Sequence, residues 1–253
     1  MENPLAALKT NKSVEKDTDT LGGFELLNSG TYKMRVKYAF TSTSKAKAIA
    51  MNVHLEGENG SKLRSITYMT SNEKKGCKNT YTKNAGKENE STHYLPGFSQ
   101  SNALCRLITG EEVADQPMKK MTINIYNPEL KREAPTEVDM FEDLLGQNIV
   151  VGVLKKLIDK TEKNPDTGDY DPTGETREIN EIEKFFCAKE GYENLTINEL
   201  EAGVEEPVFI GDWTKRWEGK VKDETSKDAP KSGAPKREAG KQAPKKSLFG
   251  NKS

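Results

Sequence analysis

The segment GTYKMRVKYAF (30–40) constrains the fold most strongly. Tyr32, Met34, Val36, Tyr38 and Phe40 alternate with Lys33, Arg35 and Lys37. A period of two is the signature of a β-strand with one apolar and one solvated face, and it is incompatible with a helix. The same alternation returns in AIAMNVHL (48–55), with Ile49, Met51, Val53 and Leu55 on one side, and a third strand follows in KLRSITYMT (62–70) after the turn GENG. Three strands joined by short turns form a meander, the usual opening of a small antiparallel barrel.

Further along, SNEKKGCKNTYTKNAGKENESTHYL (71–95) is rich in Gly, Asn, Lys and Ser and reads as a mobile loop. PGFSQSNALCRLITG (96–110) reads as a helix capped by Ser99 or Ser101 and stopped at Gly110. Strands are expected at 119–126, 147–160 and 175–188, with a hairpin loop at 164–174 between the last two, and short helical pieces at 140–146 and 196–203. WTKRW closes the body, where Trp213 and Trp217 fit a core role better than base stacking. Strands, one helix, then more strands predict a mainly β chain, specifically an OB-like antiparallel barrel with an inserted helix. The expected organisation is a flexible segment 1–20, one domain over 21–217, and a disordered basic tail over 218–253. That tail has almost no apolar residue before Leu248 and Phe249, too few to offset its ordering entropy.

Composition removes whole classes of function. Hydrophobic residues are 33% and charged residues 31% of the 253, low and high for a soluble domain, which fits one core with polar extensions. No apolar run approaches the roughly 20 residues of a membrane-spanning helix, and the first residues do not have the pattern of a signal peptide. Three widely spaced cysteines, Cys77, Cys105 and Cys187, argue against a disulfide framework and for a reducing cytoplasm. With two histidines and no paired-cysteine spacing, a structural zinc site is not expected.

The net charge of −1 conceals a sorting along the chain. Residues 1–128 carry 18 basic and 13 acidic side chains, residues 129–212 carry 9 and 22, and residues 213–253 carry 12 and 5. Within 62–87 seven cations, Lys62, Arg64, Lys74, Lys75, Lys78, Lys83 and Lys87, face the single acid Glu73. Tyr68 and Tyr81 lie inside this run, and Tyr94 and Phe98 follow it. Cations that neutralise phosphates and release counterions, interleaved with rings that stack on unpaired bases, are the chemistry of single-stranded nucleic-acid binding. Lys33, Arg35 and Lys37 on the first strand would extend such a groove. The candidate nucleic-acid contacts are therefore Lys33, Arg35, Lys37, Arg64, Lys74, Lys75, Lys78 and Lys83 for phosphates, with Tyr68, Tyr81 and Tyr94 for bases. A solvated loop with half-buried tyrosines is the plainer alternative.

Catalytic patterns are weaker. GENGSK (57–62) has the wrong glycine spacing for a phosphate loop. In DYDPTGETREIN (169–180) Asp169, Asp171 and Gly174 fit a calcium loop, but Asn180 stands where a bidentate Glu belongs. Glu175, Glu178, Glu181 and Glu183 fit a solvated strand face better than a metal site. No cofactor, metal or catalytic residue is expected. The rival readings are a metal-dependent nuclease or recombination enzyme using the acids of 129–212, and an adaptor that works through its tail. The same acids could also occupy the cationic groove when nucleic acid is absent.

The runs LGGFELLNSGTYKMRVKYAF (21–40), LPGFSQSNALCRLITGEEV (95–113), NIYNPELKREAPTEV (124–138), LLGQNIVVGVLKKLIDKTEKN (144–164) and PTGETREINEIEKFF (172–186) together resemble a family of tailed-bacteriophage single-stranded DNA-binding proteins. The resemblance spans most of 21–217 and rests on the order of the runs rather than on one motif. It implies an OB-like core that coats single-stranded DNA during phage replication, recombination and repair, in the cytoplasm of the infected bacterial host, without enzymatic activity. Many such proteins end in an acidic tail with an apolar tip that docks partners; here the tip is kept and the charge reversed. Lys245, Lys246, Leu248 and Phe249 are accordingly expected to dock an acidic surface on a replication, recombination or transcription protein. No membrane association is expected.

Overall fold

The computed structural model describes residues 26–127, 130–164 and 170–225. Its first three strands, β1 (Gly30–Thr43), β2 (Ile49–Gly57) and β3 (Lys62–Tyr68), form the expected meander. A small hairpin follows, β4 (Thr80–Lys83) and β5 (Ser91–Tyr94), then helix α1 (Pro96–Thr109) and a larger hairpin, β6 (Met118–Asn127) with β7 (Arg132–Phe141). Next come the long ribbon β8 (Asn148–Lys163) and β9 (Tyr170–Phe186), helices α2 (Ile197–Glu201) and α3 (Phe209–Trp217), and the short strand β10 (Val221–Asp223). The protein is mainly β, built of antiparallel pairs apart from β10, which runs parallel to β8.

The first strand organises the sheet because both of its edges are used. Residues 34–43 pair with β2, residues 30–35 with β8, and Phe40 and Thr41 with β7. A register shift between Val36 and Tyr38 marks a bulge. Met34 and Val36 point into the main core, and beyond the extra residue Ala39 does so instead, while Phe40 joins a second cluster with Ile123, Val138 and Met140. The single apolar face expected for 32–40 is therefore split, since one inserted residue reverses a period of two.

The main core lies between the meander, the start of β8 and α1, and includes Met34, Val36, Val53, Leu55, Leu104 and Ile149, all buried. Helix α1 starts not at a serine cap but at Pro96, whose fixed φ suits the first helical position. Ser99 and Ser101 are inside the helix, and Ser101 is buried. The helix covers the gap between β3 and β9. Gln100 Nε2 donates to the Ile182 carbonyl at 2.6 Å, and a Cβ on Gly97 would stand 2.1 Å from the Tyr68 carbonyl oxygen, so only glycine allows this approach. Among the described residues β3 and β9 share no strand pairing, and no closed barrel is found.

Three further elements depart from the sequence reading. Residues 71–95 contain a 3₁₀ turn, Glu73–Lys75, and the hairpin β4–β5 rather than a structureless loop, because Thr and Tyr at alternate positions suit a pleated ribbon. Strand β7 was not expected; Pro135 is tolerated because β7 pairs β6 throughout but β1 only at 139–140, leaving an edge where no N–H is required. The folded body also runs past 217 into what reads as tail. Buried Ser29 joins it to the sheet: its hydroxyl donates to the Lys220 carbonyl at 2.5 Å and accepts from the Lys155 N–H at 2.8 Å. Residues 1–25 and 226–253 lie outside the described residues, so the expectations for both termini do as well. No helix among the described residues is long and apolar enough to cross a membrane.

Candidate nucleic-acid interface

Strand β3 alternates strictly. Leu63 is buried, while Lys62, Arg64, Ile66 and Tyr68 face outward, with Ile66 65% and Tyr68 53% exposed. Two large apolar side chains on the solvated face of a strand cost burial free energy unless a partner covers them, so this face is a candidate for contact.

Beyond Tyr68 the chain turns into the β4–β5 hairpin, whose base is fastened to the segment that follows β3. The Ser71 N–H donates to the Lys78 carbonyl at 2.8 Å, the Lys78 N–H donates to Ser71 Oγ at 2.9 Å, and the Leu95 N–H donates to the Asn79 carbonyl at 2.8 Å. The Asn72 side chain accepts from the Lys75 N–H and sets the turn that carries Lys74 and Lys75. This folding-back creates a groove of about 660 Å³, with Tyr68, Lys75, Lys78, Tyr81, Thr92 and Pro96 among its walls. Tyr81 is 44% exposed and tilts against His93 at 5.7 Å between ring centroids. Neither Lys75 nor Lys78 has a carboxylate partner among the described residues, so both ammonium groups are free to meet a phosphate.

The other candidate residues divide into three groups. Tyr94 is 59% exposed, but its ring lies 5.0 Å from Phe98 of α1 and outside the groove. Lys74 and Lys83 are exposed, the first on the turn beside the groove and the second on the hairpin, without lining it. The cations of β1 are displaced from the groove by the width of β2: pairing sets Arg35 beside Glu56 and Glu56 beside Lys62. Lys33 and Arg35 remain on the exposed face of β1. Lys37 and Arg64 meet in a separate cleft, where Lys37 holds Glu56 at 2.6 Å and Arg64 stands 3.8 Å from Glu133. The hydrogen bond between Lys37 and Glu56 raises the lysine above its ordinary pKa and lowers the carboxyl. One continuous cationic wall through Lys33, Arg35, Lys37 and Arg64 is therefore not formed; the groove and the cleft are two places along one face of β3. Lys245, Lys246, Leu248 and Phe249 lie outside the described residues.

Ile66 and His54 were not picked out by sequence reasoning. Ile66 was detectable, since the alternation that sets Arg64 and Tyr68 outward sets it outward too. His54 was not, because only the register places it between Tyr38 and Arg64. Its ring stands edge-on to Tyr38 and Phe40 at 5.8 and 5.7 Å. Burial, then the charges of Arg64 and Lys37, hold it below the ordinary imidazole range.

Four glutamates of β9 are engaged one by one. Glu175 pairs with Lys160 at 2.8 Å, Glu178 with Lys155 at 2.8 Å and Glu181 with Lys156 at 2.7 Å, and Glu183 accepts from the Trp213 indole N–H. Trp213 is buried with Leu154 and Phe186, and Trp217 is half-buried beside it. No family model matches the chain, and no curated protein matches it.

Proposed function

We propose that this protein binds single-stranded DNA with little sequence preference and without catalysing a reaction. One observation carries the reading: Tyr68 and Tyr81, both exposed, share a groove with Lys75 and Lys78, which have no carboxylate partner among the described residues. Unpaired bases have faces to stack and duplex bases do not, so rings beside free cations favour a single strand. Stacking is indifferent to base identity, hence the weak sequence preference.

The order of elements supports an OB-like reading. A meander, a helix and a returning ribbon follow the plan of that barrel, with α1 over the seam between β3 and β9. Its oligonucleotide surface lies on the strand 2–3 face, which is where Tyr68, Ile66 and Arg64 project. Together with the resemblance of the runs between 21 and 186 to phage single-strand binders, this favours a role in coating DNA during phage replication, recombination and repair.

The test is fluorescence anisotropy of labelled oligothymidylate, with unlabelled single-stranded and duplex competitors of equal length. Displacement by any single strand and poor displacement by duplex is the expected result. Equal competition by duplex overturns the reading, as does magnesium-dependent cleavage of the probe.

A further inference from the structure

The outward positions of β3 continue past the groove from Tyr68 to Ile66, Arg64 and Lys62, at about 6.7 Å for each two residues. They lead into the second cleft, of about 240 Å³, between the β2–β3 face and the β6–β7 hairpin. Its charged and polar walls come from every element around it. Lys37 and Tyr38 belong to β1, His54 and Glu56 to β2, Lys62 and Arg64 to β3, Asn124 to β6 and Glu133 to β7. Lys62 has no ion-pair partner among the described residues. Arg64 and Glu133 are each more than half exposed at 3.8 Å, a contact weak enough for an arriving anion to displace.

We propose that this cleft is a second phosphodiester subsite for the strand held in the Tyr68–Tyr81 groove, and that His54 takes up a proton from solvent when the phosphate enters. The proposal rests on the single-stranded DNA reading and adds a path, two contact residues (His54 and Lys62) and a linked proton. In the free protein the imidazole is half-buried beside cations, which disfavours its charged form. A phosphate between Lys62 and Arg64 reverses that balance, because an opposite charge at close range favours the imidazolium. By linkage, affinity then rises as pH falls through the region where the free protein carries neutral His54 and the complex carries it charged.

The direct test is nuclear magnetic resonance of the imidazole signals of the full-length protein across pH, alone, with a twelve-residue oligothymidylate, and with inorganic phosphate. The chain has two histidines, and His93→Gln identifies the His54 signal. With oligothymidylate the His54 midpoint should rise by about one pH unit. That rise should be lost in Lys62→Ala/Arg64→Ala, which still binds through the groove. Anisotropy should show wild-type affinity increasing several-fold from pH 7 to 5.5, with His54→Gln nearly flat. Tight oligothymidylate binding with an unmoved His54 midpoint overturns the subsite and leaves the groove intact. A midpoint moved by inorganic phosphate but not by the oligonucleotide assigns the cleft to a free anion and overturns the strand path. Failure of oligothymidylate to bind at all overturns the subsite together with the function on which it rests.

Discussion

Truncation of Tyr68 to alanine tests the groove most economically. The ring is 53% exposed on an edge strand and belongs to none of the three buried clusters, so its loss should change stability by no more than about 0.5 kcal/mol. Base stacking on one aromatic side chain is worth about 1–3 kcal/mol. At about 1.4 kcal/mol per tenfold change, Tyr68→Ala should therefore weaken oligothymidylate binding by roughly 5- to 150-fold. Tyr68→Phe keeps the stacking face and loses only the hydroxyl, so it should stay close to wild type. The assay is anisotropy at fixed salt for all three proteins, with thermal melting as the control for folding. Wild-type affinity in Tyr68→Ala, or an equal loss in Tyr68→Phe, would refute the stacking argument.

Other consequences concern the groove and the frame around it. Lys75→Ala and Lys78→Ala should each make the slope of log affinity against log salt shallower by about 0.7, the value for one phosphate contact on a single strand, in an anisotropy salt series. Gly97→Ala should cost about 1–3 kcal/mol in urea unfolding and also weaken binding, because a Cβ there forces α1 away from the Tyr68 carbonyl. Leu104→Ala, in the main core, should cost about 2–5 kcal/mol by the same measure without altering the salt slope. Glu199 is subject to burial, which raises a carboxyl, but hydrogen bonds from the Thr196, Phe209 and Val208 N–H groups outweigh it and hold the group below its ordinary value. Its stabilising contribution is therefore complete above about pH 4.5 and is lost as pH falls through the lower folded value. The difference in urea midpoint between wild type and Glu199→Gln should accordingly shrink between pH 6 and pH 3.

Alternation in 30–40 and 48–55 revealed β1 and β2, because period two is a local property, and the turn GENG announced β3; the outward setting of Arg64 and Tyr68 came with the structure. The bulge after Val36 was hidden, since it exists only relative to β2, and it moved Tyr38 and Phe40 to the opposite face. Strand β7 was masked by Pro135 and by its acids, and β10 by being three polar-flanked residues whose strand character comes wholly from pairing with β8. Basic and aromatic residues in 62–87 were visible as a composition. Their sorting into a groove with Lys75, Lys78 and two rings, a cleft with Lys37 and Arg64, and the outlying Lys33 and Arg35 was not, because β2 and the hairpin determine it.

Photocrosslinking addresses the site itself. Oligothymidylate carrying single 5-iodouracil substitutions would be irradiated with the full-length protein and the adducts located by peptide mass spectrometry. The account predicts adducts at Tyr68 and Tyr81, lost in the corresponding alanine variants. Adducts confined to Trp217 and the α3 face, with Tyr68 and Tyr81 unmodified, would contradict it.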